Sequence, residues 1–209
     1  MDYFEINGRK SLHGEVKISG AKNAVLPLMA AAILNNKKLQ ILNVPFLSDS
    51  ATMAKLLESM GAKVHFDPNN SITVDSSSLD NPFASYDLVK TMRASFYVLG
   101  PLIAKFGYAK VSLPGGCAWG PRPVDFHLQA LKALGVDIKI ENGYVIATAK
   151  KITGNIIHFP KISVGATGNV VMTAIFAKGV TTLTNAAAEP EIQQLCNMLN
   201  SMGAKIDGI

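Results

Sequence analysis

The chain has 209 residues, 48% of them hydrophobic and 17% charged, a balance that excludes a disordered polypeptide and leaves ample material for a buried core. No apolar run reaches the ~18 residues a membrane helix needs; the nearest, residues 162–177, is interrupted by Ser163, Thr167, Asn169 and Thr173. The net charge of +5 is carried mostly by lysines scattered in runs no longer than two, without the clustering and interleaved aromatics of a nucleic-acid surface, so it reads as a bias toward small anionic ligands.

The N-terminus, MDYFEINGRK, is acidic in part and has no apolar stretch, so no secretory signal is expected. The first helical pattern lies in GAKNAVLPLMAAAIL, followed by a strand around Ile41. A second helix starts near Asp49, shows Leu56, Leu57 and Met60 on one face, and stops at Gly61. VHF-DPNN-SITVD then reads as a hairpin. The same order returns from Thr91: a helix, a strand around Leu113, a helix from Pro123 through Leu128, Leu131 and Leu134 to Gly135, and a hairpin turning at Asn142-Gly143. It returns again from Gly165, with a strand around Leu183 and a helix from Glu191 through Leu195, Met198 and Leu199 to Gly203. Asp49, Pro123 and Glu191 precede their glycines by the same distance. A repeat of about 70 residues makes an α/β domain with pseudo-threefold symmetry and the most apolar helices at its centre. The third copy ends at AKIDGI, where its hairpin would begin, so a truncated chain or one half of a larger protein is expected.

Three features carry chemistry. The first helices of the units begin Gly20-Ala21-Lys22-Asn23, Thr91-Met92-Arg93-Ala94 and Gly165-Ala166-Thr167-Gly168. A cation in a first helical turn opposes the helix dipole, which makes sense where an anion sits between such turns. Only three arginines exist, Arg9, Arg93 and Arg122, and arginine is the side chain suited to forked recognition of carboxylate and phosphate. The second feature is Leu113–Asp125, LPGGCAWGPRPVD, a Gly/Pro-rich loop holding Cys117, the sole tryptophan Trp119, and Arg122. A thiol beside Arg122 and helix starts is expected to have a lowered pKa, which makes Cys117 a candidate acid or nucleophile. Cys196, on the apolar side of its helix, reads as buried; two cysteines make no disulfide framework and fit a reducing compartment, so a cytoplasmic protein is expected. The third is Lys161-Ile162-Ser163-Val164-Gly165, an entry into a helix that can hold a diphosphate. No Walker A or Gly-x-Gly-x-x-Gly motif is present, which disfavours a P-loop kinase or Rossmann dehydrogenase. Four histidines without metal-ligand spacing argue against zinc. His13, His65 and His158 read as unpartnered, His127 as within reach of Cys117, and Glu189 and Glu191 as capping a helix around Pro190.

The segments SGAKNAVLP (Ser19–Pro27), DLVKTMRAS (Asp87–Ser95), LPGGCAWGPRPVD, KISVGAT (Lys161–Thr167) and NAAAEPEI (Asn185–Ile192) closely resemble, in order, the UDP-N-acetylglucosamine 1-carboxyvinyltransferase family, enolpyruvyl transferases of bacterial peptidoglycan synthesis and the target of fosfomycin. The resemblance implies an inside-out α/β barrel domain of three βαβαββ units over residues 21–209, incomplete in the third. Residues 1–20 would be strands pairing with a second domain absent here. It further implies that Lys22 and Asn23 meet phosphoenolpyruvate and the sugar nucleotide, that Arg93 belongs to the UDP-sugar site, and that Cys117 is the general acid. Arg122, Pro123, Val124, Asp125 and Phe126 match the stretch touching phosphate and uracil, and Lys161, Ile162, Ser163 and Val164 the stretch along the nucleotide. Trp119 and Phe126 depart from the family pattern, which has a smaller aliphatic residue and a leucine there. No metal or cofactor, nucleic acid or membrane is implied. The expected partners are phosphoenolpyruvate, UDP-N-acetylglucosamine and the C-terminal half of the same enzyme, which supplies the base. The alternatives are an inactive half-molecule that only binds UDP-sugar, and the sibling 5-enolpyruvylshikimate-3-phosphate synthase, whose loop lacks the cysteine.

Overall fold

The computed structural model describes residues 3–9, 11–114 and 124–209. Three helices are buried nearly all round: α1 (Lys22–Ala31), α4 (Leu99–Phe106) and α6 (Val164–Ala174). A helix apolar on every side has to sit at the centre of a domain. α4 packs against α6, and the 3-10 turn Arg93–Val98 leading into α4 packs against both α1 and α6. Arg93 therefore opens a 3-10 turn, with the α-helix beginning at Leu99, six residues after it. Around this centre lie α2 (Ser48–Ser59), α5 (Asp125–Ala133) and α7 (Pro190–Ser201), each with one apolar face; in α7 it is Ile192, Leu195, Cys196 and Leu199. The short α3 (Tyr86–Val89) precedes the 3-10 turn.

Among the described residues the strands form three sheets. β1 (Lys38–Ile41), β2 (Lys63–Asp67) and β3 (Ser71–Asp75) lie in the order β1-β3-β2, with Ile41 opposite Ile72 and Lys63 opposite Asp75. The second unit has β4 (Phe83–Ala84), β5 (Tyr108–Ser112), β6 (Asp137–Glu141) and β7 (Tyr144–Thr148) in the order β4-β5-β7-β6. β5 stops one residue before Leu113. The third has β8 (Ile156–His158) parallel to β9 (Thr182–Thr184). In both complete hairpins the return strand takes the central place. β6 and β7 turn through Asn142 at φ 50 and Gly143 at φ 78, the left-handed pair of a type I′ turn.

The repeat is repeated in backbone detail. α2, α5 and α7 all end with the same pair of hydrogen bonds: Gly61 N–H to Glu58 C=O and Ala62 N–H to Leu57 C=O; Gly135 to Lys132 and Val136 to Leu131; Gly203 to Asn200 and Ala204 to Leu199. These are Schellman caps, with φ of 99°, 90° and 108° at the glycines, a conformation other residues resist. After the third cap, residues 204–209 form no strand; the Asn200 side chain instead brackets Ile206, donating to its carbonyl and accepting from its N–H, each at 2.8 Å. Residues 3–9 and 11–19 form no helix or strand and are exposed. Among the described residues no helix is long and apolar enough to cross a membrane.

Candidate functional site

The starts of the three inner helical segments open into one cavity of about 480 Å³. Unit one contributes Lys22 and Asn23, unit two Thr91, Met92, Arg93 and Ala94, and unit three Val164 and Gly165. Lys22 and Arg93, read from the sequence as equivalent cations at helix starts, thus share a pocket. Lys22 is about half exposed and its Nζ sits 3.0 Å from Asp49 Oδ2 in the first turn of α2. The carboxylate stands at a favourable helix end and balances a lysine standing at an unfavourable one. Sequence reading took Asp49 only as a helix start; its ion pairing with Lys22 was not visible there.

The other wall is more buried. Phe96, Tyr97, Pro114, Val124, His127 and Glu191 line it. Burial, with Glu191 and then Glu189 nearby, pushes the Tyr97 hydroxyl up to about 12 despite the opposing Arg93 charge. His127 is 6% exposed and pushed down to about 3, first by desolvation and then by the Arg93 guanidinium, because both disfavour an imidazolium. Its Nδ1 lies 2.9 Å from Asn169 Nδ2, and its ring meets Phe96 edge-on at 5.1 Å. Asn169, fully buried in α6, also accepts from Gly100 N–H at 2.7 Å and donates to the Phe96 carbonyl at 3.1 Å. The polar break at Asn169 in an apolar run was its sequence signal, since a buried amide must find partners.

Not every expected residue reaches this cavity. Among the described residues Val124 and Val164 line it, whereas Asp125, Phe126, Lys161, Ile162 and Ser163 do not. Phe126 lines a smaller cavity of about 180 Å³ with Ile157, Phe159 and Pro160. Lys161 and Ile162 are exposed, and the Ser163 hydroxyl caps α6 by accepting from Ala166 N–H at 3.3 Å. Cys117, Trp119, Arg122 and Pro123 lie outside the described residues, so the expected contact between His127 and Cys117 does too. Cys196 is buried, and burial raises its thiol pKa. Glu189 occupies the N-cap position of α7 without a side-chain cap bond, and Glu191 is in its first turn. The other histidines were expected to lack partners, yet His13 contacts Ser11 Oγ at 3.1 Å, His65 lies 3.5 Å from Asp67, and His158 lies 2.9 Å from Thr184 Oγ1. Neighbours two residues away, or one strand across, supply these contacts. Among the described residues no group of three His, Cys, Asp or Glu is placed to hold a metal ion.

Comparison with known proteins agrees with this architecture. The chain is 55% identical over 203 residues to the UDP-N-acetylglucosamine 1-carboxyvinyltransferase of Ruthia magnifica subsp. Calyptogena magnifica, covering 97% of this chain and 48% of that one. The proteins of the same name from Sulfurimonas denitrificans and Acinetobacter baylyi are each 53% identical across all of this chain and 50% of theirs. The chain therefore spans about half the length of these curated relatives. Among solved structures, the enolpyruvyl transferase NikO from Streptomyces tendae superposes with a TM-score of 0.81 at 25% identity, covering 94% of this chain and 46% of that one. An EPSP synthase from Acinetobacter baumannii gives 0.72 at 17% identity, over 93% and 45%, and so shares the fold. Residues 6–209 match the EPSP synthase (3-phosphoshikimate 1-carboxyvinyltransferase) family, and with helix starts, caps and sheets in that arrangement the chain belongs to it.

Proposed function

We propose that this chain forms one half of a transferase that moves the enolpyruvyl group of phosphoenolpyruvate to the 3′-hydroxyl of UDP-N-acetylglucosamine in the cytoplasm, at the entry to peptidoglycan synthesis. The observation that carries the reading is the convergence of Lys22, Asn23, Arg93 and the start of α6 on one cavity, in a chain matched end to end by relatives bearing that name. The hydroxyl oxygen adds to C2 of phosphoenolpyruvate while C3 gains a proton, giving a tetrahedral phosphate-bearing intermediate. Loss of a C3 proton with departure of phosphate then leaves the enol ether. Such a path needs cations for carboxylate and phosphate, an acid at C3 and a base at the hydroxyl. Lys22 and Arg122 serve as the cations, Cys117 as the acid and Arg93 as a ligand of the UDP-sugar. Residues 122–126 and 161–164 follow the nucleotide. Residues 1–20 pair as strands with the second domain, and residues 21–209 form the three-repeat domain.

The base comes from the other half, so the chain alone binds UDP-N-acetylglucosamine without turnover. Phosphate release from phosphoenolpyruvate plus UDP-N-acetylglucosamine tests this, measured for the chain alone and with the complementary half. Release only with both halves is expected. Binding of shikimate 3-phosphate in place of the sugar nucleotide would overturn the choice of acceptor. Alkylation of Cys117 by fosfomycin, faster with UDP-N-acetylglucosamine bound, checks the thiol.

A further inference from the structure

The Asn169 amide is fixed from two sides. Its Oδ1 accepts from Gly100 N–H and its Nδ2 donates to the Phe96 carbonyl; rotating the amide by half a turn would set N–H against N–H and oxygen against oxygen. The second Nδ2 hydrogen therefore points at His127 Nδ1, 2.9 Å away. That ring nitrogen must accept, so the ring proton of the neutral imidazole is on Nε2. Nε2 has no hydrogen-bond partner among the described residues. A Cβ built on Gly165 would stand 3.1 Å from both Nε2 and Cε1, so the bare glycine leaves that ring edge uncovered, and His127 and Gly165 line the same cavity.

We propose that Asn169 is a positioning residue that holds His127 as the neutral Nε2–H tautomer, and that this N–H donates a hydrogen bond to an anionic oxygen of the ligand seated at the start of α6. The identity of that ligand as a sugar-nucleotide diphosphate rests on the reading above; the tautomer does not. Phe96 against the ring fixes its plane, and burial, with the Arg93 charge second, keeps it from protonating. The residue thus supplies direction beside cations that supply charge, and it does so without titrating in the physiological range.

The test is long-range proton–nitrogen NMR on the full chain labelled in histidine. His127 is expected to show a bare Nδ1 and a protonated Nε2, unchanged from pH 6 to 8; a protonated Nδ1 overturns the proposal. Asn169→Asp, whose carboxylate accepts from Nδ1, is expected to reverse the tautomer or charge the ring, which loss of packing alone would not do. Titration with UDP-N-acetylglucosamine is expected to move the Nε2–H signal. His127→Phe should weaken binding about tenfold, the loss of one hydrogen bond of roughly 1.4 kcal/mol. His127→Gln, which keeps an acceptor and an N–H at similar places, should restore most of it. A ligand that shifts backbone amides and leaves Nε2–H unmoved overturns the donor role. If UDP-N-acetylglucosamine shifts no signal at all, the ligand reading fails, and inorganic phosphate decides the donor by itself: a moved Nε2–H sustains it and an unmoved one overturns it.

Discussion

α1 and α6 occupy equivalent places in the repeat and are buried to a similar depth, but by opposite means. α1 buries Ala24 to Ala31 through apolar side chains alone. α6 buries Thr167, Asn169 and Thr173, each hydrogen-bonded: Thr167 to Ala187 N–H, Asn169 to Gly100, Phe96 and His127, Thr173 to the Asn169 carbonyl. Dispersion and water exclusion hold the first helix and would hold many apolar sequences. Directional bonds to the second unit and within its own hold the second, so its side chains cannot be exchanged for shape alone. Both helices start at the cavity, but only in α6 are buried side chains held in a fixed orientation by hydrogen bonds.

Substitution separates the two cases. Asn169→Leu leaves Gly100 N–H, the Phe96 carbonyl and His127 Nδ1 facing an apolar side chain; at roughly 1–3 kcal/mol for each group left unpaired, a loss of about 4 kcal/mol in urea unfolding is expected. Met29→Leu, at a fully buried position of α1, should cost under ~1.5 kcal/mol, and equal losses for the pair would dissolve the contrast. Acid comes next. His127 has a folded pKa of about 3 against the usual 6.5, so its contribution is complete above pH 6.5 and declines as pH falls toward 3. The decline is ~1.4 kcal/mol per pH unit, and His127→Gln should flatten the stability profile between pH 6.5 and 4. Thr167→Val removes the acceptor of the buried Ala187 N–H, with an expected loss of about 1–2 kcal/mol, readable as a lower thermal midpoint. The smallest effect belongs to the half-exposed Lys22–Asp49 pair: Asp49→Asn should shift stability by less than ~1 kcal/mol.

Legibility in the sequence followed locality. The two hairpins, the amphipathic outer helices and the three helix-ending glycines were readable because each depends on neighbours a few residues away. The two-residue β4 and three-residue β8 were not, since strands so short exist only by pairing with β5 and β9. The 3-10 start at Arg93 escaped as well, because apolar periodicity does not separate a 3-10 turn from the α-helix it feeds. Lys22 and Arg93 were found as helix-start cations, whereas Glu191 read as a cap and Asn169 as an interruption.

The amino-acid order alone thus determined a threefold α/β repeat, the points at which its outer helices stop, and the helix starts that carry positive charge. Periodicity, a left-handed glycine and a dipole-opposing cation are all properties of short stretches. Tertiary packing decided that Lys22 faces Asp49, that Phe126 belongs to a second cavity, and that Asn169 joins His127 to Gly100 and Phe96 across 42, 69 and 73 residues of chain. Contacts at that separation depend on how the central helices are set against one another, and no local pattern encodes that.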